Sequence, residues 1–205
     1  MPANTPIFVT GIGTDVGKTV ASAILVEHLK ADYWKPVQSG DLDNSDTMKV
    51  QRLITNTVTR FHPEAYRLTQ PFSPHKSADL DRTEIELDKI ILPETDNQLL
   101  IEGAGGLMVP LNDKAFIIDL IEHLGAEAIL VVKHYLGSIN HTLLSMELLK
   151  KRNIKIRALV LNGDGDAYSE DIINTYMPIG KIVRIPALAS VDKATVLKYS
   201  GLIEF

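Results

Sequence analysis

The run Gly11-Ile12-Gly13-Thr14-Asp15-Val16-Gly17-Lys18-Thr19 joins three glycines to a lysine and a hydroxyl. Phosphate oxygens are held where several backbone N–H groups converge, and glycine permits that approach because no Cβ stands in the way. A lysine at this point carries a charge that can reach the terminal phosphates, and the neighbouring threonine hydroxyl can ligate Mg²⁺. Five residues separate Gly11 from Gly17, one more than in the general form of such a loop. Ile7-Phe8-Val9-Thr10 before the loop has strand character, and Val20-Ala21-Ser22-Ala23-Ile24-Leu25-Val26 after it reads as a helix. An incidental strand-to-helix turn would not require all three features to coincide, so phosphate binding is the stronger reading.

A second candidate is Leu99-Leu100-Ile101-Glu102-Gly103-Ala104-Gly105-Gly106, an apolar strand that ends in an acid and then glycines. An acid at the carboxyl end of a parallel strand faces the ligand crevice, where Glu102 could complete a Mg²⁺ shell with Thr19. Alone, the segment also fits an ordinary glycine-rich loop with a solvated glutamate. The third, Tyr33-Trp34-Lys35-Pro36-Val37-Gln38-Ser39-Gly40, carries Lys35 into a turn bounded by proline and glycine. Such a lysine either snorkels to the surface or meets an anion, and its position does not separate the two. Asp46, taken by itself, reads first as a helix N-cap.

These residues need a scaffold, and its outline lies in the periodicity. Short β-branched runs at 6–10, 33–37, 98–102, 127–133, 156–162 and 181–185 alternate with amphipathic segments at 18–30, 46–57, 83–91, 115–124, 138–152 and 169–176. That alternation predicts an α/β fold around a parallel sheet. Ala128-Ile129-Leu130-Val131-Val132 is continuously apolar, as a strand covered on both faces must be. Asp46, Thr83 and Ser138 stand at expected helix starts, while Gly125 and Gly163 mark expected stops. Residues 58–82, with Pro63, Pro71 and Pro74, read as an irregular excursion over the site.

The 205 residues are 45% hydrophobic and 23% charged, enough for one domain with a sizeable core. A net charge of −5 argues against a general polyanion binder, so no nucleic-acid partner is expected. Cysteine is absent, which excludes a disulfide framework, a thiolate metal site and a cysteine nucleophile. The six histidines show no helical zinc-protease spacing, and His75, His134 and His141 are read as structural. Met1-Pro2-Ala3-Asn4-Thr5-Pro6 precedes an apolar run too short for a signal peptide, and every later apolar run is interrupted by charge or histidine. A cytoplasmic protein without a membrane partner is the expectation.

Taken in order, Gly13-Thr14-Asp15-Val16-Gly17-Lys18-Thr19, Lys35-Pro36-Val37-Gln38-Ser39-Gly40, Asn44-Ser45-Asp46, Ser73-Pro74-His75, Glu102-Gly103-Ala104-Gly105-Gly106 and Leu136-Gly137-Ser138-Ile139-Asn140-His141 resemble the dethiobiotin synthetases nearly end to end. The resemblance implies a single P-loop NTPase-like domain over residues 1–205, with three layers and a mainly parallel central sheet. It also implies a reaction in which ATP, CO₂ and 7,8-diaminononanoate give dethiobiotin, ADP and phosphate. There one amine captures CO₂ as a carbamate, the carbamate oxygen takes the γ-phosphoryl group, and the second amine closes the ring with loss of phosphate.

By the same resemblance Lys18 and Lys35 surround the transferring phosphoryl group, and Thr19, Asp46 and Glu102 hold Mg²⁺, which moves Asp46 from cap to ligand. Nucleotide contacts are implied from Gly13, Thr14, Asp15, Val16 and Gly17 through Lys18, Thr19 and Val20, and at Asp46, Glu102, Gly103, Ala104 and Gly105. Asn162 and Gly163 would meet the adenine edge, with Pro186, Ala187 and Leu188 beneath it. Ser39 would bind the diamine or carbamate. Leu136, Gly137, Ser138, Ile139 and Asn140 would hold the substrate carboxylate for the partner subunit of a homodimer. Two other classes fit the phosphate loop: a nucleotide-switched regulatory ATPase, and an amide-forming ligase that activates a carboxylate. The first leaves Lys35 with Ser39 unexplained, and the second usually carries a glutaminase domain, for which 205 residues leave no room.

Overall fold

Ile7, Phe8 and Val9 are buried on both sides of their strand, which places them inside a sheet with helices on either face. The computed structural model describes residues 4–204. Met1 to Ala3, part of the leader reading, and both ends of the 1–205 domain reading lie outside them. The strands are β1 (Ile7–Gly11), β2 (Asp32–Trp34), β3 (Val37–Ser39), β4 (Phe61–His62), β5 (Tyr66–Leu68), β6 (Leu99–Gly106), β7 (Glu127–Lys133), β8 (Ile156–Asn162) and β9 (Ile182–Ile185). The helices are α1 (Lys18–Leu29), α2 (Asp46–Leu53), α3 (Pro74–Leu80), α4 (Ile117–His123), α5 (Ser138–Lys151), α6 (Ala167–Tyr176) and α7 (Lys193–Ser200).

Seven strands form one sheet in the order β4-β2-β6-β1-β7-β8-β9, every pairing parallel, and β3 pairs with β5 in a small second sheet. The pleat sends alternate residues to opposite layers. Ile7, Val9, Ile129 and Val131 pack with Ala21, Ile24 and Leu25 of α1 and with Val196 of α7. Phe8 packs with Ile117, Ile118 and Ile121 of α4, while Leu130 and Val132 meet Met146 of α5 and Ile173 of α6. Three layers result. The chain leaves β1 for β2 on one side, returns through β6 beside β1, and crosses to β7 on the other side. This reversal brings the carboxyl ends of β1 and β6 together at the place where open α/β sheets bind ligands.

The fold class agrees with the expectation, and several elements do not. No α-helix covers 83–91, where only a 3₁₀ turn at Leu87–Lys89 forms; Thr83 therefore starts no helix. Its backbone N–H instead bonds back to Ala78 O, closing the end of α3. The expected strand 33–37 is broken between Trp34 and Val37, because Pro36 has no N–H to continue the ladder. The excursion 58–82 contains β4, β5 and α3, whose first residue is Pro74, a favourable position for proline. Helix α2 stops at Leu53 rather than near 57, since Glu27 accepts from the N–H groups of Thr55 and Asn56 and draws that backbone out of the helical path. Helix α7 was absent from the expectation. Its apolar period is weak over eight residues, and Asp192 caps it by accepting from Thr195 N.

The edge strand β4 is tied to β2 by one carboxylate. Asp32, buried at 1% exposure, accepts from Arg60 N at 3.0 Å, Thr95 Oγ1 at 2.7 Å and Asn97 Nδ2 at 3.1 Å, and approaches His62 Nε2 at 3.3 Å. Burial alone would raise its pKa, but these donors outweigh it and hold the carboxyl below its ordinary 3.8. A depressed carboxylate contributes stability that is full above the ordinary value and lost as pH falls through the folded value. Asp32→Asn is therefore expected to cost about 1–3 kcal/mol at neutral pH, since it places an amide donor among donors. Urea unfolding at neutral and acid pH checks this: the deficit should shrink in acid.

Candidate active site

The loop after β1 ends at Gly17, which takes φ +91° and enters α1 with no side chain capping the helix. An added Cβ there would lie 2.1 Å from Asn162 Nδ2, so glycine is required by conformation and by space. The first turn of α1 has no acidic residue, which leaves its unpaired N–H groups and positive dipole end available to an anion. Asn162, at the end of β8, donates from Nδ2 to Val16 O at 2.9 Å and braces the loop from the far side. Lys18 is buried and curls back, its Nζ donating to Gly13 O at 3.0 Å. Its pKa is lowered, first by burial and then, against the pull of Glu102, by the charge of Lys35.

The break in the strand between Trp34 and Val37 frees Lys35 from either ladder and turns it inward, where it is 4% exposed. Its ammonium meets Asp46 Oδ2 at 2.7 Å and Glu102 Oε1 at 3.4 Å, and donates to Gly103 O at 3.1 Å. Burial would lower the pKa of Lys35, but the charges of Glu102 and Asp46 outweigh it and leave the value raised. For Asp46, burial would raise the pKa, but Lys35 and then Lys49 hold it below the ordinary value. Lys49 Nζ lies 3.4 Å from Asp46 Oδ1 and 2.8 Å from Asp41 Oδ2. Asp46 is the first residue of α2 and not its cap: Ser45 Oγ accepts from Met48 N, and Asp46 N donates to Gln38 Oε1 at 3.1 Å.

Glu102 sits on β6 level with Val9 of β1, 1% exposed. Oε1 accepts from Thr19 Oγ1 at 2.8 Å, and Oε2 accepts from the Tyr33 hydroxyl at 2.9 Å. Complete burial, followed by the nearby charges of Glu102 and Asp46, pushes the Tyr33 phenol well above its ordinary pKa, so it stays a proton donor.

A cavity of about 670 Å³ opens over this cluster, lined by Thr14, Asp15, Gly17, Lys18, Thr19 and Val20 from the loop and helix α1. Lys35, Ser39, Asp46, Glu102, Ala104 and Gly105 complete its polar floor, and Pro71, Phe72, Ser73 and Pro74 cover one side, as the excursion reading expected. Gly103 joins through its carbonyl on Lys35, Gly13 through its carbonyl on Lys18, and Val16 lies buried behind the loop. Ser39 Oγ is buried without a hydrogen-bond partner. Leu136, Gly137, Ser138, Ile139 and Asn140 do not line this cavity, nor do Asn162, Gly163, Pro186, Ala187 and Leu188.

The donor set suits a hard cation. Among the described residues no group of three or more acidic or histidine side chains is placed to hold a metal, but Asp46 and Glu102 supply two carboxylates beside the Thr19 hydroxyl. Mg²⁺ binds in this way, through one or two carboxylates with phosphate oxygens and water completing its shell. The ammonium between the two carboxylates marks where positive charge is already accommodated. Tyr33 and Gln38 lie inside the segment around Lys35 but the sequence assigns them no role, Tyr33 being hidden as an apolar strand residue, and Lys49 carries no spacing signal.

The family model described as an AAA domain matches residues 5–195. An ATP-dependent dethiobiotin synthetase of Christiangramia forsetii is 49% identical over 193 residues, covering 94% of this chain and 93% of that protein. Its counterpart in Paramagnetospirillum magneticum is 42% identical, with 93% of this chain and 92% of the relative covered. Among solved structures, the septum site-determining protein MinD of Pyrococcus horikoshii, complexed with Mg-ADP, aligns at TM-score 0.60 and 15% identity over 95% of this chain and 86% of its own. A ParA family ATPase from Chlorobium tepidum aligns at TM-score 0.56 and 15% identity, covering 96% and 99% respectively. At that identity these structures share the fold and nothing finer.

Lys35→Ala leaves Asp46 and the buried Glu102 without their shared cation. The variant is expected to lose roughly 3–5 kcal/mol at neutral pH, as breaking a buried ion pair typically does. The depressed pKa of Asp46 contributes stability above the ordinary carboxylate value and loses it as pH falls through the folded value, so parent and variant should converge on that contribution in acid. Chemical denaturation across that range checks it.

Proposed function

Because this chain belongs to the dethiobiotin synthetase family, we propose that it carboxylates 7,8-diaminononanoate with CO₂ and closes the ring at the expense of ATP, yielding dethiobiotin, ADP and phosphate. The enzyme is an ATP-dependent cyclo-ligase. The observation that carries the assignment of its site is the convergence, in one cavity, of the phosphate loop with Lys35, Ser39, Asp46 and Glu102. A loop and helix end alone would serve any nucleotide hydrolase; Lys35 and the unpartnered Ser39 hydroxyl add groups for a second, anionic substrate.

In this reading the loop residues Gly13 to Val20 cradle the phosphates, with Gly103, Ala104 and Gly105 against the nucleotide. Mg²⁺, held by Thr19, Asp46 and Glu102, would neutralise charge on the phosphate oxygens. Lys18 and Lys35 stabilise charge on the transferring phosphoryl group, a preorganised electrostatic role typically worth about 10²–10³ in rate per contact. Ser39 hydrogen-bonds the diamine or its carbamate. Asn162, whose amide oxygen is not used by its bond to Val16, is read with Gly163, Pro186, Ala187 and Leu188 as the adenine contact. We read residues 1–205 as one domain, supported by the single seven-stranded sheet. Among the described residues no helix is long and apolar enough to cross a membrane, and the demand for ATP favours the cytoplasm.

The active unit is proposed to be a homodimer with shared sites. Helix α5 begins at Ser138 after Gly137 at φ +106°; Leu136, Gly137 and Asn140 are exposed while Ser138 is buried, and this start lies outside its own chain's cavity. The first turn holds no acidic residue, and although Ser138 N donates to Tyr135 O, the N–H groups of Ile139 and Asn140 suit a carboxylate from across an interface. Support for pairing comes from exposed Met108, Leu136 and Leu144 and from the apolar groove that Leu107, Val109 and Leu148 help to line.

Two outcomes test these assignments. Phosphate release should require the diamine and CO₂ together, with the cyclic urea detected by mass; equal release with neither would return the chain to the class of regulatory ATPases. Separately, Lys18→Ala and Asn140→Glu should each be inactive alone, and mixing them should restore activity after subunit exchange. One of the two sites in each heterodimer then carries neither change, so recovery should approach about half of a full pair. Confirmed heterodimers without activity would place Asn140 in its own chain's site.

A further inference from the structure

Tyr33 lies on β2 with its ring fully buried in the layer that contains α1, packed beside Leu100 and tilted against Phe61 with ring centroids 5.8 Å apart. Its neighbours Asp32 and Trp34 serve other purposes: Asp32 binds the sheet edge, and Trp34 packs in the opposite layer and donates to Pro63 O. The Tyr33 ring spans apolar core, and its single polar atom emerges at Glu102. The bonds on that carboxylate are divided. Oε1 takes both Thr19 and Lys35, whereas Oε2 takes Tyr33 at 2.9 Å.

We propose that Tyr33 is a positioning residue for Glu102: its hydroxyl pins Oε2 against the core, which fixes the rotation of the carboxylate and keeps Oε1 turned toward Thr19 and the phosphate loop. The inference rests on the reading of Glu102 as a Mg²⁺ ligand. A carboxylate on a flexible side chain can rotate to offer either oxygen, or both, to the same donors. With Oε2 anchored, one orientation remains. Removing the hydroxyl leaves a buried acceptor unpaired, and the group would relieve that cost by turning both oxygens toward Thr19 and Lys35. Thr19 would then be less free to exchange its bond for a metal. Partners that orient ligating side chains affect metal binding by about 10–100-fold when removed.

The test uses the full chain and calorimetric binding of a non-hydrolysable ATP analogue, with and without Mg²⁺. Tyr33→Phe keeps the ring and deletes only the hydroxyl. The expected result is a loss of about 10-fold in the Mg²⁺-dependent part of the affinity, with Mg²⁺-free binding unchanged because the phosphate loop is untouched. In turnover, the Mg²⁺ concentration for half-maximal rate should rise while KM for the diamine stays put. An unchanged Mg²⁺-dependent part overturns the inference, and so does an equal loss with and without Mg²⁺, which would mark a general core defect. Glu102→Gln separates the two levels of the argument. If it leaves the Mg²⁺-dependent part intact, the ligand reading fails; if it abolishes that part and Tyr33→Phe does not reduce it, only the positioning role fails. Should Tyr33→Phe be unstable alone, the Tyr33→Phe/Glu102→Gln double variant still decides. Positioning requires its Mg²⁺-free affinity to match that of Glu102→Gln, and a further loss there overturns the proposal.

Discussion

The ammonium of Lys35, buried between Asp46 and Glu102, is the contact on which the rest of the site depends. It joins three segments distant in sequence: the break after β2, the start of α2 and the middle of β6. Each charge would be costly without the others, because a buried ion left unpaired loses its hydration and gains nothing in return. The three segments must therefore close together or not at all. This arrangement also shapes function. The two carboxylates already carry a cation, so under the proposed Mg²⁺ role loading with a metal nucleotide would be an exchange of partners and not the filling of bare charge.

Around this cluster the protein supplies rigid holders for the groups that face the loop. Gln38 accepts from Asp46 N, Lys49 takes the second oxygen of Asp46, and Tyr33 takes the core-facing oxygen of Glu102. The phosphate loop is braced likewise by Asn162, which reaches it from β8 on the opposite side. These supports start on well-packed strands and helices, which is what preorganised electrostatic catalysis requires of a scaffold.

The sheet order explains why these parts meet. Because β6 returns to lie between β2 and β1, Glu102 comes level with Val9 and directly beside the loop that follows β1. The same insertion sets Tyr33 of β2 next to Leu100 of β6, so its hydroxyl reaches Glu102 two residues farther along the strand. The insertions between β2 and β6, with β4, β5 and α3, then close the cavity with Pro71, Phe72 and Pro74.

Local chemistry made part of this legible in the chain itself. The glycine spacing before Lys18 and Thr19 and the continuous apolar strands each express a backbone or burial requirement that falls within a few residues, so the α/β class and the glycine-rich loop could be read directly; Glu102 stood out as a candidate at the end of the expected strand 98–102, which the structure extends to Gly106. Short, weakly periodic elements could not: the excursion hid β4, β5 and α3, and 83–91, which buries Ile85 and Ile90, forms only a 3₁₀ turn. For Lys35, snorkelling and ion pairing stood equal in sequence, and Asp46 read as a cap. Only the folded chain decided that they meet, and that Tyr33 stands behind Glu102, because such pairings depend on strand order and layer, which no local spacing encodes.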